Sequence, residues 1–186
     1  MGRTKNGTGM TKNANRLIQL PEGVDDNWDR TIGGFILNCG AIEFALIRLA
    51  EVISQDPVQR DLALKKMLSG RISLVRGLAQ RSNLSDSVRQ ELENTLDKVA
   101  ELAETRNTVA HNPFVSGVDA KGVPVKGIMD VRKVKGIGPF EVGLLGLQDI
   151  LSGAHRAGDL VQSLQRTIVQ IDQERDSPNP SAHTTA

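Results

Sequence analysis

Three polar residues fall together in the run Arg106-Asn107-Thr108-Val109-Ala110-His111-Asn112-Pro113. A histidine titrates near neutral pH and can take or give a proton, while an arginine keeps its charge and grips an anion through a planar fork. Asn107 and His111 are four residues apart, which makes them neighbours on one face of a helix. Arg106 continues an apolar stripe, where a charge is expensive unless it is paired or used. Arg106 and His111 stand about 140° apart around a helix axis. Within one chain they meet only if Arg106 bends across the face; otherwise a second copy of the helix supplies the other half. A purely structural role also fits. Cations in a last turn favour the helix dipole, Asn112 is an ordinary stop residue, and Arg106 can snorkel. Spacing alone leaves both open.

The other reactive side chains read as structural. Cys39 lies on an apolar stripe and is expected in the core rather than as a nucleophile. His155 lies off the seam of its helix and His183 in a polar tail, so both are expected at the surface. No Walker loop, dinucleotide glycine fingerprint, His-Glu-x-x-His pair or EF-hand loop occurs, and neither a metal nor a cofactor is expected.

The elements that would position the motif follow from periodicity. Trp28, Ile32, Phe35, Cys39, Ile42, Leu46, Leu49 and Ile53 repeat at 4-3-4-3 spacing, one stripe on a long helix. Glu43, beside Ile42 and Phe44, is expected as a solvated flank residue, with a pairing to Arg106 as the alternative. Asp56-Pro57 ends this helix and starts the next. Two short helices are expected over 57–69 and 71–81, broken at Gly70 and anchored by Val58, Leu62, Met67 and Leu68, then Ile72, Val75 and Leu78. Ser85 caps a long helix to about His111, striped by Val88, Leu92, Leu96, Val99, Ala103, Arg106 and Ala110. Glycines, Pro124, Pro139 and short β-branched runs then mark a small β-hairpin or sheet over about 114–146. A last helix carries Leu147, Ile150, Ala154, Ala157, Val161, Leu164, Ile168 and Ile171, with Gly153 and Gly158 permitting close approach of another helix. The expectation is a mainly α, antiparallel helical bundle at 21–175 with a β insertion, a flexible basic arm at 1–20 and a disordered tail at 176–186.

Composition narrows the function classes. With 39% apolar and 24% charged residues the chain is globular rather than disordered. It has no apolar run of about 18 residues for a membrane span, and no secretory leader is expected. One cysteine excludes an intramolecular disulfide and a cysteine-rich zinc site, so the cytoplasm is the expected compartment. One Trp, four Phe and no Tyr argue against an aromatic stacking platform for single strands. The net charge is only +1, yet cations gather at 1–20, at 57–81 and at 121–135. Together these segments would make a polyanion footprint, with Arg132, Lys133 and Lys135 as candidate substrate contacts.

The run Arg106-Asn107-Thr108-Val109-Ala110-His111, late in a long helix of an all-α bundle, resembles the signature of the HEPN superfamily. The resemblance covers roughly residues 25–174. It implies metal-independent RNA cleavage by a homodimer, with two copies of the motif meeting at the interface, in the setting of a toxin or an antiviral effector with a cognate antitoxin or regulatory protein. On this resemblance Arg106, Asn107 and His111 are the catalytic set. His111 takes the proton from a ribose 2′-hydroxyl or protonates the leaving oxygen, Arg106 holds the phosphoryl oxygens, and Asn107 orients His111 or contacts phosphate. The alternative is a HEPN-like module that binds RNA or protein without cleaving. Two departures stand out: the Tyr that follows the histidine in one toxin branch is absent, and the β insertion exceeds that of the simplest bundles.

Overall fold

The computed structural model of the protein describes residues 26–118, 121–130 and 143–176. The basic arm at 1–20, the tail beyond Asp176, and Arg132, Lys133 and Lys135 lie outside these residues. The elements are α1 (Asp26–Ser54), α2 (Pro57–Leu64), α3 (Leu68–Arg81), α4 (Asp86–His111), β1 (Phe114–Val118), β2 (Pro124–Asp130), β3 (Gly143–Leu145) and α5 (Leu147–Asp176). The fold is therefore mainly helical, with a small antiparallel sheet ahead of the last helix.

Successive helices alternate in direction. Asp56 caps α2 by accepting from the Val58 N–H at 2.9 Å, with Pro57 in its first turn. Ser85 caps α4 through the Val88 N–H, and Ser85 itself donates to Glu174 near the end of α5. α4 thus runs against α5. α1 and α5 run the same way, tied by Asn38 Nδ2 to the Ala154 carbonyl at 3.1 Å and by Arg175 to the Val52 carbonyl.

The stripe on α1 is the spine of the core. Trp28, Phe35, Cys39, Ile42, Leu46, Leu49 and Ile53 are buried, and Ile32 packs against them half-buried. Ala45, Ile47, Ala50 and Val52 are buried as well, because α2, α3, α4 and α5 all lean on this helix. Gly153 is where α5 comes closest: a Cβ there would stand 3.2 Å from Phe35 Cε2. The buried line on α5 is Ile150, Gly153, Ala157, Leu160, Leu164, Thr167 and Ile171. The expected positions Leu147, Ala154, Val161 and Ile168 flank it, half-buried. Wedged between α1 and α4, α5 buries an arc wider than one heptad seam, and glycine and threonine serve as core residues there. The Thr167 hydroxyl is satisfied by the Ser163 carbonyl at 3.1 Å.

Three expectations are corrected. The break between the short helices falls at Lys65–Met67, and Gly70 sits inside the first turn of α3. Arg71 explains this, since its Nε donates to the Ala63 carbonyl at 3.0 Å and closes the end of α2 from the side. Val58, Leu62 and Met67 do not anchor anything; they are exposed, and Ala63 is the buried residue of α2. Ala110 is also exposed, because the seam of α4 runs through Val99, Leu102 and Val109.

The sheet has the order β1-β2-β3, both pairs antiparallel, with Phe114 opposite Ile128 and Ile128 opposite Leu145. Gly127 permits the β2–β3 approach, since a Cβ there would come within 2.8 Å of the Leu145 carbonyl oxygen. Phe114 meets Trp28 edge-on, with ring centroids 4.9 Å apart, so the sheet is riveted to the start of α1.

Candidate active site

Asn112 ends α4. It adopts an extended conformation (φ −115°, ψ 150°), as a residue before proline prefers, and both its backbone N–H and its side-chain amide donate to the Thr108 carbonyl. The chain then enters β1, where the Met129 N–H donates to the Pro113 carbonyl at 3.0 Å. His111 is thereby held as the last residue of a helix whose end is clamped by the sheet. Its side chain is exposed, as is that of Asn107 one turn earlier.

Arg106 faces α1. Its Nη2 lies 3.5 Å from Glu43 Oε1, and its Nη1 donates to Asn107 Oδ1 at 3.3 Å. Glu43 Oε2 accepts from Arg71 Nη1 of α3. Glu43 is therefore no solvated flank residue. It is a half-buried carboxylate bridging two guanidiniums from two other helices, which makes the charge of Arg106 tolerable on an otherwise apolar seam. Arg71 is the most enclosed of the three, at 13% side-chain exposure, against 25% for Glu43 and 34% for Arg106.

Glu43→Gln is expected to destabilise the protein by about 1–2 kcal/mol, since two charge-assisted contacts are weakened and Arg71 is left enclosed without its counter-charge. Urea unfolding measures this. An unchanged midpoint would mean that the carboxylate contributes no more than an exposed ion pair does.

Beneath Arg106, Cys39, Ile42, Leu68, Val99, Leu102 and Ala103 close up around a void of only about 10 Å³. Burial pushes the Cys39 thiol up to about 11, against a smaller opposing pull from the Arg106 cation. At neutral pH Cys39 is a protonated core residue, as its place on the stripe implied. The larger clefts lie elsewhere. One of about 260 Å³ sits between α4 and α5 at Lys98, Arg156 and Asp159, and one of about 380 Å³ lies at the far end of the bundle around Gln55, Asn83 and Arg175. Neither of these two clefts is lined by Arg106, Asn107 or His111.

No family model, curated protein or solved structure matches this chain.

Arg106 and Asn107 are joined by a hydrogen bond, but neither a hydrogen bond nor an ion pair links them to His111 within the chain. The two halves diverge around α4, as their spacing requires. Of the basic segment at 57–81, Arg71 pairs with Glu43, Arg76 with Glu93 and Asp97 at 2.6 Å each, and Arg60 lies 3.7 Å from Glu51. Much of that positive charge is matched by internal carboxylates. His155 is exposed on α5. At the site, Glu43 is the residue expected first as a solvated flank; the alternative, a pairing to Arg106, is the one the structure shows, and its signal was a place next to a seam position.

Proposed function

We propose that this chain is a metal-independent RNA endonuclease of HEPN type, acting as a homodimer, in a toxin or antiviral setting with a cognate antitoxin or regulatory protein. The observation that supports this best is the division of the motif. Arg106 is oriented by Glu43 at a half-exposed position, while His111 is presented bare at a clamped helix end. A guanidinium fixed in place and a histidine open to solvent are what phosphodiester cleavage by a neighbouring hydroxyl needs. In that reaction the ribose 2′-oxygen bonds to phosphorus, the bond to the 5′-oxygen breaks, and the 2′-proton ends on the leaving oxygen. His111 carries the proton, Arg106 neutralises the non-bridging oxygens, and Asn107 orients the pair.

A second reading, a HEPN-like RNA- or protein-binding module without catalysis, is favoured by one observation: Arg106 is already ion-paired to Glu43, over a void of only about 10 Å³. The test is incubation of the purified protein with RNA in EDTA. The nuclease is expected to cleave, and its RNA binding to weaken steeply with salt as phosphate contacts release counterions. Charge reversal at Lys133 and Lys135, with Arg132 alongside, should weaken all RNAs about equally, because phosphate contacts carry little sequence information. Salt-dependent binding with no cleavage would favour the module. Cleavage that EDTA stops would reject the metal-free chemistry.

A further inference from the structure

Among the described residues the outer face of α1 has no neighbour, and it carries little polarity. Gly33, Gly34, Leu37, Gly40, Ala41 and Phe44 are all exposed, Leu37 at 75% and Phe44 at 65%. A Cβ built on Gly33, Gly34 or Gly40 would meet nothing within 4 Å. Along this face the first charges are Arg30 at one end and Arg48 and Glu51 at the other. Two large apolar side chains set among glycines form a knob-and-hollow surface that leaves room for another helix at the short end of the usual 8–10 Å spacing.

We infer that this face binds a second copy of the chain, α1 against α1, antiparallel, with the two-fold axis between Gly40 and Ala41. The argument for that occupant is self-complementarity. About this midpoint, Leu37 lies opposite the partner copy's Phe44, Gly33 opposite Arg48, and Arg30 opposite Glu51. Large residues meet large ones near the centre, the Arg48 stem crosses a glycine, and cation meets carboxylate at both ends. The face also borders the motif. Arg106 is tied to Glu43 and Phe114 to Trp28, so the end of α4 that carries His111 runs beside α1 between those two points. Two copies joined here carry their Arg106–His111 segments along the flanks of one interface.

This deepens the homodimer of the proposed function but not its chemistry, and the two are tested apart. Light scattering of the full chain at micromolar concentration should give twice the chain mass. Leu37→Glu and Phe44→Glu should each raise the dimer dissociation constant roughly 100-fold or more, since each substitution enters the interface twice, with helical circular dichroism unchanged. Arg30→Glu and Glu51→Arg should each weaken the homodimer. Mixing these two variants should restore association as a heterodimer, in which both rim pairs are again opposite in charge. A monomeric wild type, a dimer indifferent to Leu37→Glu and Phe44→Glu, or no gain on mixing would each overturn the assignment. A dimer that obeys these substitutions yet cleaves no RNA leaves the interface standing and removes the nuclease.

Discussion

His111→Ala is expected to reduce RNA cleavage by about two to four orders of magnitude, the range a positioned acid–base group contributes, while leaving thermal stability nearly unchanged. The side chain is exposed at the last residue of α4, where a histidine contributes at most about 1 kcal/mol through the helix dipole. Catalysis and folding therefore separate at this position. Arg106→Lys should keep the fold, because the charge opposite Glu43 survives, yet lose most activity, since an ammonium cannot grip a phosphate in two places. Asn107→Ala should give a partial loss, as befits an orienting residue. Products analysed by mass should carry 2′,3′-cyclic phosphates and 5′-hydroxyls, because the nucleophile is the substrate's own ribose oxygen. Unfolding of the His111→Ala variant, or full activity in it, would return the motif to a structural role.

The largest stability effect is expected at the α1–α5 contact. Phe35 is fully buried, and its ring lies over Gly153. Phe35→Ala should cost about 3–5 kcal/mol, from lost transfer energy and the cavity left behind. Gly153→Val should cost about 1–3 kcal/mol by overpacking, since even its Cβ meets the ring at 3.2 Å. The two sites are coupled. Phe35→Leu clears space that Gly153→Ala can fill, so the double variant should be more stable than the sum of its single effects by about 0.5 kcal/mol or more. Denaturant midpoints across the four proteins decide this, and strict additivity would mean that the ring and the glycine do not share the space.

What the sequence revealed follows the range of each interaction. The α1 stripe repeats every turn and so was legible residue by residue; the caps at Asp56 and Ser85 were legible because capping is local. The Gly70 break was misplaced because the true end of α2 is closed by a side chain from the following helix. On α5 Gly153 was legible as a point of close approach, whereas a count of apolar residues overlooked Thr167, which is buried because its hydroxyl bonds back to its own helix. Glu43 was hardest. Periodicity indicates that a position lies at the edge of a seam, but only the three-dimensional packing of α1, α3 and α4 shows that two arginines wait there. The exposed face of α1 escaped notice for the opposite reason: glycines mixed with one leucine and one phenylalanine make no stripe that a periodicity count would register.

The parallel pairing of α1 with α5 has a consequence for how the chain is made. Asn38 and Ala154 are 116 residues apart, and Val52 and Arg175 are 123 apart. At roughly 5–20 residues per second, translation reaches Gly153 roughly 6–24 s after Phe35. Throughout that interval the longest apolar stripe in the protein exists without its main counterpart, and helices on their own are marginal in water. The shorter-range partners in α2 and α3 arrive sooner but cover only part of α1. Nascent chains of this protein are thus exposed to premature association through their first helix until α5 emerges, and a ribosome stalled in the β-sheet segment would hold a chain whose core is still open.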